Sequence, residues 1–153
     1  VENGVSARIS KVGGKGDVDL IAEQIRIGLG EPLGYSQNDI TFEGLGIEYR
    51  LIAEDPDSNF TPWVGRIERF GWKEQPWLTM LTHVPTTEPY EIPTEFDPNL
   101  ALAIIWGKDL EEAKARGLEF LRDLRLEGHN TAGEELKSNV NFLAANTERI
   151  LRF

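Results

Sequence analysis

The sequence predicts an α+β fold, a largely antiparallel sheet with flanking helices. Three observations carry that expectation. Apolar residues recur at helical spacing near the start of the chain (Leu20, Ile21, Ile25, Leu29) and again in its last third. Between those stretches lie runs with strand character, among them the period-two series Ile47, Tyr49, Leu51 and Ala53. The strands follow one another without a helix after each, so the βαβ regularity of a doubly wound sheet is missing. At 153 residues the chain is one domain in length and long enough to bury a core.

Taken in order, Val1 to Ser6 carries few structural signals, and Lys11-Val12-Gly13-Gly14-Lys15-Gly16 reads as a flexible loop. Those glycines do not form a phosphate-cradling loop, since no G-x-x-x-x-G-K-[ST] occurs. A first helix is predicted over 17–30. Asp17 and Asp19 sit where they cap or favour its N-terminus. Gly30 followed by Pro32 stops it. Residues 41–54 read as the opening strand, Asp55 to Asn59 as a turn, and Pro62-Trp63-Val64-Gly65 as a second turn. Strands are expected over 65–72 and 77–84. Trp72 and Trp77 flank their connection and are expected to pack as structural aromatics; a stacking platform for a sugar or nucleotide is the other reading. Pro85 to Pro98 reads either as a linker or as an ordered extended loop.

Leu100 to Trp106 is apolar throughout and predicts a strand buried on both faces. Asp109 and Glu112 have capping-box spacing at the start of a second helix. Its lining is Leu110, Ala113, Leu118, Leu121 and Leu124, and Gly128 ends it. His129 falls in the next loop. Ser138-Asn139 caps a third helix with an inner stripe of Val140, Leu143, Ala144, Thr147 and Leu151.

Charge narrows the function. Lys and Arg number 16 against 26 Asp and Glu, a net charge of −10. That balance opposes non-specific nucleic-acid binding, which depends on neutralising phosphates. It also opposes docking on an anionic membrane. No apolar run approaches the roughly 20 residues that span a bilayer, and no signal-peptide pattern opens the sequence. Cysteine is absent, which excludes disulfides, thiolate chemistry and Cys–zinc sites and fits a reducing compartment. His83 and His129 lack the convergent ligands a metal site needs.

The residue type that stands out chemically is Arg50. It lies mid-strand on the face opposite Ile47, Tyr49, Leu51 and Ala53, two residues from Glu48. A strand holds such a guanidinium, a planar and permanently charged fork, at a fixed place. The pair is read two ways: as an edge-strand ion pair worth under about 1 kcal/mol, or as a positioned cation at a site.

Wider motifs carry a resemblance. Gly44-x-x-Ile47-Glu48-Tyr49-Arg50-Leu51-x-Ala53-Glu54-Asp55-Pro56, then Phe60-x-Pro62-x-x-Gly65-x-Ile67, resembles the start of the C-terminal domain of biotin carboxylases. Tyr90-Glu91-Ile92-Pro93-Thr94-Glu95-Phe96-Asp97-Pro98-Asn99-Leu100 and the run from Trp106-Gly107 to Gly128 are similar to later family motifs. So is Asp19-Leu20…Gln24-Ile25-x-Ile27…Gly30-x-Pro32-Leu33. The resemblance implies a biotin carboxylase C-terminal domain over 1–153, cut from a longer chain. A nucleotide-binding portion would precede Val1, and a short tail would follow Phe153.

It also implies roles. Arg50 matches the family's strand arginine beside the place where bicarbonate and biotin meet. Val1-Glu2-Asn3-Gly4-Val5-Ser6 is similar to the family's V-E-H-x-V-T-E, which makes Glu2 the base for bicarbonate. The family uses ATP with Mg or Mn and biotin on a partner carrier domain. No metal or ATP ligand is expected within this piece, and none of these cofactors is expected to bind it alone. A carboxyltransferase subunit or domain is the further partner, with a homodimer possible; the type is acetyl- or propionyl-CoA or pyruvate carboxylase. Acetyl-CoA carboxylase and fatty acid biosynthesis go with that type. The implied location is cytoplasmic, or the mitochondrial or plastid matrix. Asn3, Trp63, Pro98 and Leu102 depart from the family pattern; Leu102 takes the place of a lysine. They support the alternative, a non-catalytic interaction domain that keeps the fold.

Overall fold

The computed structural model describes residues 3–13, 15–94 and 97–150. Its helices are α1 (Asn3–Ile9), α2 (Leu20–Gly28), α3 (Leu110–Asp123) and α4 (Val140–Thr147). Its strands are β1 (Ser10–Val12), β2 (Lys15–Asp17), β3 (Ile40–Phe42), β4 (Leu45–Ile52), β5 (Glu54–Asp55), β6 (Thr61–Pro62), β7 (Arg66–Gly71), β8 (Leu78–Thr82), β9 (Tyr90–Glu91), β10 (Asn99–Gly107) and β11 (Arg125–His129). They pair antiparallel throughout, in the orders β2-β1-β3, β4-β10-β8, β11-β7-β9 and β5-β6. The fold is α+β, with antiparallel sheets and helices packed on them, as the sequence predicts.

The core forms where β4 and β10 face α3. Ile47, Tyr49 and Leu51 are buried on one face of β4, and Ala53, just past its end, is buried with them. They meet Ala101, Ala103 and Ile105 of β10 and Ala113, Phe120 and Leu121 of α3. Gly117 lets α3 approach closely, because a Cβ there would stand 2.9 Å from Tyr49 Cζ. The expectation for β10 holds at Leu100 and Ile104, while Leu102 and Trp106 stay half-buried.

Several boundaries differ from expectation. The first helix begins at Leu20, not Asp17. Asp19 is its N-cap and accepts from the amides of Ile21 and Ala22, whereas Asp17 belongs to β2. Within the segment read as a glycine loop, Lys11 and Val12 belong to β1 and Lys15 and Gly16 to β2, which pair with each other, and β1 pairs with β3 on its other side. The strand predicted over 41–54 is broken at Gly44, whose φ of +73° no regular strand tolerates. The second helix stops at Asp123, where Leu124 turns extended, and Gly128 lies inside β11, next to a bulge in its pairing with β7. His129 therefore ends a strand. Leu126 suits either period, and its pairing with Phe70 of β7 decides for the strand. Helix α1 had no sequence signal; it is held by close packing on β4 and β10. Trp72 and Trp77 take separate partners, Phe70 at 5.5 Å and the Arg116 guanidinium at 5.7 Å. Leu151 lies outside the described residues.

Candidate functional site

The face of β4 opposite the core carries Gly46, Glu48 and Arg50. Register with β10 and β8 turns it into rows. Arg50 stands opposite Leu102, which stands opposite Leu81; Glu48 stands opposite Ile104, which stands opposite Thr79. Helix α1 lies over one end of this face. Val5 packs against Gly46, where a Cβ would come within 2.7 Å of Val5 Cγ1, and a Cβ on Gly4 would collide with Ile104 Cδ1. The other end stays open: the Arg50 side chain is 57% exposed and Leu81 is 50% exposed.

Arg50 is held along this face by Glu48. Its Nε donates to Glu48 Oε1 at 3.0 Å, and the Glu48 side chain is itself only 8% exposed. A largely buried carboxylate thus tethers a partly exposed guanidinium beside apolar Leu102. The lysine that the resemblance sets at Leu102 would adjoin Arg50 across the strands. Its replacement removes a second positive charge from the same spot.

Glu2 lies outside the described residues. Its successor Asn3 opens α1, and its side chain joins α1 to α2: Nδ2 donates to Asp19 Oδ1 at 3.2 Å, and Oδ1 accepts from the Leu20 amide at 2.8 Å. The departure from histidine at this position therefore has a local structural job. Trp63, another departure, is buried in the core, with Gly65 making room for its ring.

Behind Arg50 sits a residue that sequence reasoning took only as a helix cap. Asn139 is the N-cap of α4, yet its side chain makes no cap hydrogen bond. Instead Oδ1 accepts from the Ile52 amide at 3.0 Å and Nδ2 donates to the Arg50 carbonyl at 2.9 Å. Its own amide donates to the Ile52 carbonyl at 3.1 Å. The residue is buried, with 5% exposure. Asparagine at a helix start is a visible signal, but nothing local shows the reach to β4. Glu54, further along, has its carboxyl raised above the usual range, chiefly by burial. A hydrogen bond with Asn139 opposes the rise and Asp97 adds to it.

Among the described residues, no three His, Asp or Glu side chains converge to hold a metal ion. A hollow of about 880 Å³ lies elsewhere, lined by β7, Lys73, residues 86–89 and residues 122–125, and shares no residue with the Arg50 face. No described helix is long and apolar enough to cross a membrane.

The chain is similar to known proteins. A family model described as "Biotin carboxylase C-terminal domain" matches residues 48–148, the stretch that contains Arg50 and Asn139. A biotin carboxylase of Nostoc sp. is 36% identical over 132 residues, covering 84% of this chain and 29% of its own length. A chloroplastic biotin carboxylase of Arabidopsis thaliana is 40% identical over 111 residues, covering 72% of this chain and 20% of its own. The solved biotin carboxylase domain dimer of Hydrogenobacter thermophilus 2-oxoglutarate carboxylase, in complex with MgADP, ADP and bicarbonate, superposes with a TM-score of 0.79. It is 32% identical, and the match covers 97% of this chain and 29% of that one. The chain thus spans less than a third of the length of the proteins it matches. The family match, the sequence identity and the shared fold agree, and the chain belongs to the biotin carboxylase C-terminal domain family.

Proposed function

We propose that residues 1–153 are the C-terminal domain of an ATP-dependent biotin carboxylase and supply the bicarbonate and biotin side of its site. Arg50 is the observation that supports this most. It is a planar cation held mid-strand, on the open end of a sheet face, within the stretch that matches the family. The reaction is a ligation. Glu2 takes the bicarbonate proton while a bicarbonate oxygen attacks the terminal phosphorus of ATP and ADP leaves. The carboxyphosphate splits into carbon dioxide and phosphate, and phosphate removes the proton of a biotin ureido nitrogen. That nitrogen then bonds to the carbon of carbon dioxide. Arg50 stabilises the ureido anion, and it accelerates the step to the extent that it holds the developing charge better than the neutral ring.

In this reading the nucleotide and its Mg or Mn ion are held by an upstream portion of the parent protein. Biotin arrives on a carrier domain and passes its carboxyl group to a carboxyltransferase, which selects the final acceptor. The parent works as a homodimer in the cytoplasm or an organelle matrix. This chain alone neither cleaves ATP nor carboxylates free biotin. The alternative, an interaction domain without chemistry, draws on Leu102, which leaves Arg50 without a cationic neighbour across the strand.

Arg50→Lys in the full-length parent decides between them. Lysine keeps the charge but not the fork, and an oriented donor lost at a developing negative charge costs about 10²–10³ in rate. Carboxybiotin formation is expected to fall by that factor with folding intact, and ATP cleavage to fall less. Equal carboxybiotin formation in parent and variant would leave the interaction-domain reading.

A further inference from the structure

We propose that Asn139 is a positioning residue for Arg50, acting through the backbone of β4. The inference rests on the reading of Arg50 given above. β4 is an outer strand of its sheet: β10 pairs with one edge, and among the described residues no strand pairs with the other. On that free edge the Arg50 carbonyl and the Ile52 amide and carbonyl all go to Asn139, through one carboxamide and one main-chain N–H. A single buried residue thus does for residues 50–52 what a neighbouring strand would do. Removing it leaves a buried carbonyl and amide unpaired and frees the strand to shift or twist where the guanidinium is attached.

The clamp has its own support. Asn139 starts α4, and α4 is pinned to the same strand one residue away from Arg50, where Thr147 Oγ1 and Tyr49 Oη lie 3.0 Å apart in the core. Lys114 Nζ of α3 donates to the Glu148 carbonyl at the far end of α4. Helix α4 is therefore fixed at both ends relative to β4. Glu48 sets the direction of the Arg50 side chain from its Nε, and Asn139 sets the position of its backbone. Both are needed to place a fork within the few tenths of an ångström that charge stabilisation demands.

The test uses two variants. Asn139→Asp keeps the shape and an acceptor for the Ile52 amide but removes the donor to the Arg50 carbonyl. Asn139→Ser is a shorter, neutral replacement that can still serve as a helix N-cap. In this chain, nuclear magnetic resonance relaxation of the Arg50 Nε–H should show it rigid in the native sequence. It should become mobile in whichever variant folds, with the Arg66 Nε–H unchanged. In the full-length parent, carboxybiotin formation should fall about 10- to 100-fold, with bicarbonate-dependent ATP cleavage within about twofold. Added to Arg50→Ala, the Asn139 change should cause no further loss, since its effect runs through the guanidinium. The proposal is overturned if Arg50→Ala is impaired while both Asn139 variants match the parent. It is equally overturned if the two losses multiply, or if the Arg50 Nε–H stays rigid. If Arg50→Ala itself forms carboxybiotin at the parent rate, the reading of Arg50 fails, and this inference with it.

Discussion

Helices α2 and α3 look alike in sequence and fare differently in the fold. Each begins after an aspartate in extended conformation whose carboxylate caps the first turn: Asp19 of α2 accepts from two backbone amides and Asp109 of α3 from one. Each has an apolar stripe at helical spacing. Yet α3 buries Ala113, Gly117, Phe120 and Leu121, while α2 buries none of its residues. Ile21, Ile25 and Ile27 are each more than half exposed, and Leu29 is 73% exposed. Caps and periodicity are local and specify that a helix forms. What covers its apolar face is decided by segments far away in the chain, and of these two helices it is α3 that packs against β10 and β4.

The comparison is broken most sharply at Phe120. Phe120→Ala removes a buried ring from the α3 interface and should cost about 3–5 kcal/mol. Ile25→Ala on α2 should cost nothing measurable in this chain, because the side chain is already in water and alanine is the better helix former. Urea unfolding of the two variants side by side checks both. A loss at Ile25 comparable to that at Phe120 would mean that α2 is covered in solution.

Gly117→Ala sharpens the same contrast. A methyl group there runs into the Tyr49 ring, which is tied to Thr147 and cannot move aside. The expected loss is about 1–3 kcal/mol by overpacking, although alanine favours the helix by about 1 kcal/mol. Gly28→Ala in α2 meets open space and should stabilise. Opposite signs in the melting temperature are the expected result.

A smaller effect, about 1 kcal/mol, is expected for Tyr49→Phe. It removes the hydroxyl contact with Thr147, whose Oγ1 still donates to the Leu143 carbonyl.

The smallest effect separates the caps by pH. The Asp19 carboxyl is held below its ordinary value, chiefly by the Ala22 amide, with help from Asn3, Ile21 and Arg26 and against desolvation. A depressed folded-state value means that the charged form is the one the fold favours. Its stabilisation is complete above the unfolded-state value of about 4 and disappears as pH falls through the lower folded-state value. Amide exchange at Ala22 should accelerate in that acid window, and Asp19→Asn should flatten the dependence. An unchanged profile in the variant would remove the cap as its cause.

Much of the fold was legible because its signals are local or periodic. The alternation Ile47 to Ala53, the apolar run of β10 and the cap at Asp109 each emerge where expected. Arg50 was legible as a chemical oddity, and β4 does present it on an open face. The rest depends on partners distant in sequence. Helix α1 and the β1–β2 hairpin are too short for a period to show. β11 follows directly on a helical leucine pattern, and its own Leu126 shows its strand role only once β7 pairs with it. Asn139 reads as a cap, and its bonds to residues 87 and 89 positions away have no trace in its neighbours.

The same asparagine bears on how this domain behaves in a crowded solution. An outer strand with unsatisfied main-chain groups is a template onto which another polypeptide can zip, and Ile47 to Ile52 is rich in strand-forming residues. Asn139 occupies that template at its C-terminal end, through Arg50 and Ile52, offering one donor and one acceptor as a stub of false strand. It ends there, with a helix behind it instead of further ladder. A carboxamide that occupies two rungs of this part-buried edge closes them to a second chain, and copies lacking it are expected to aggregate from this edge first.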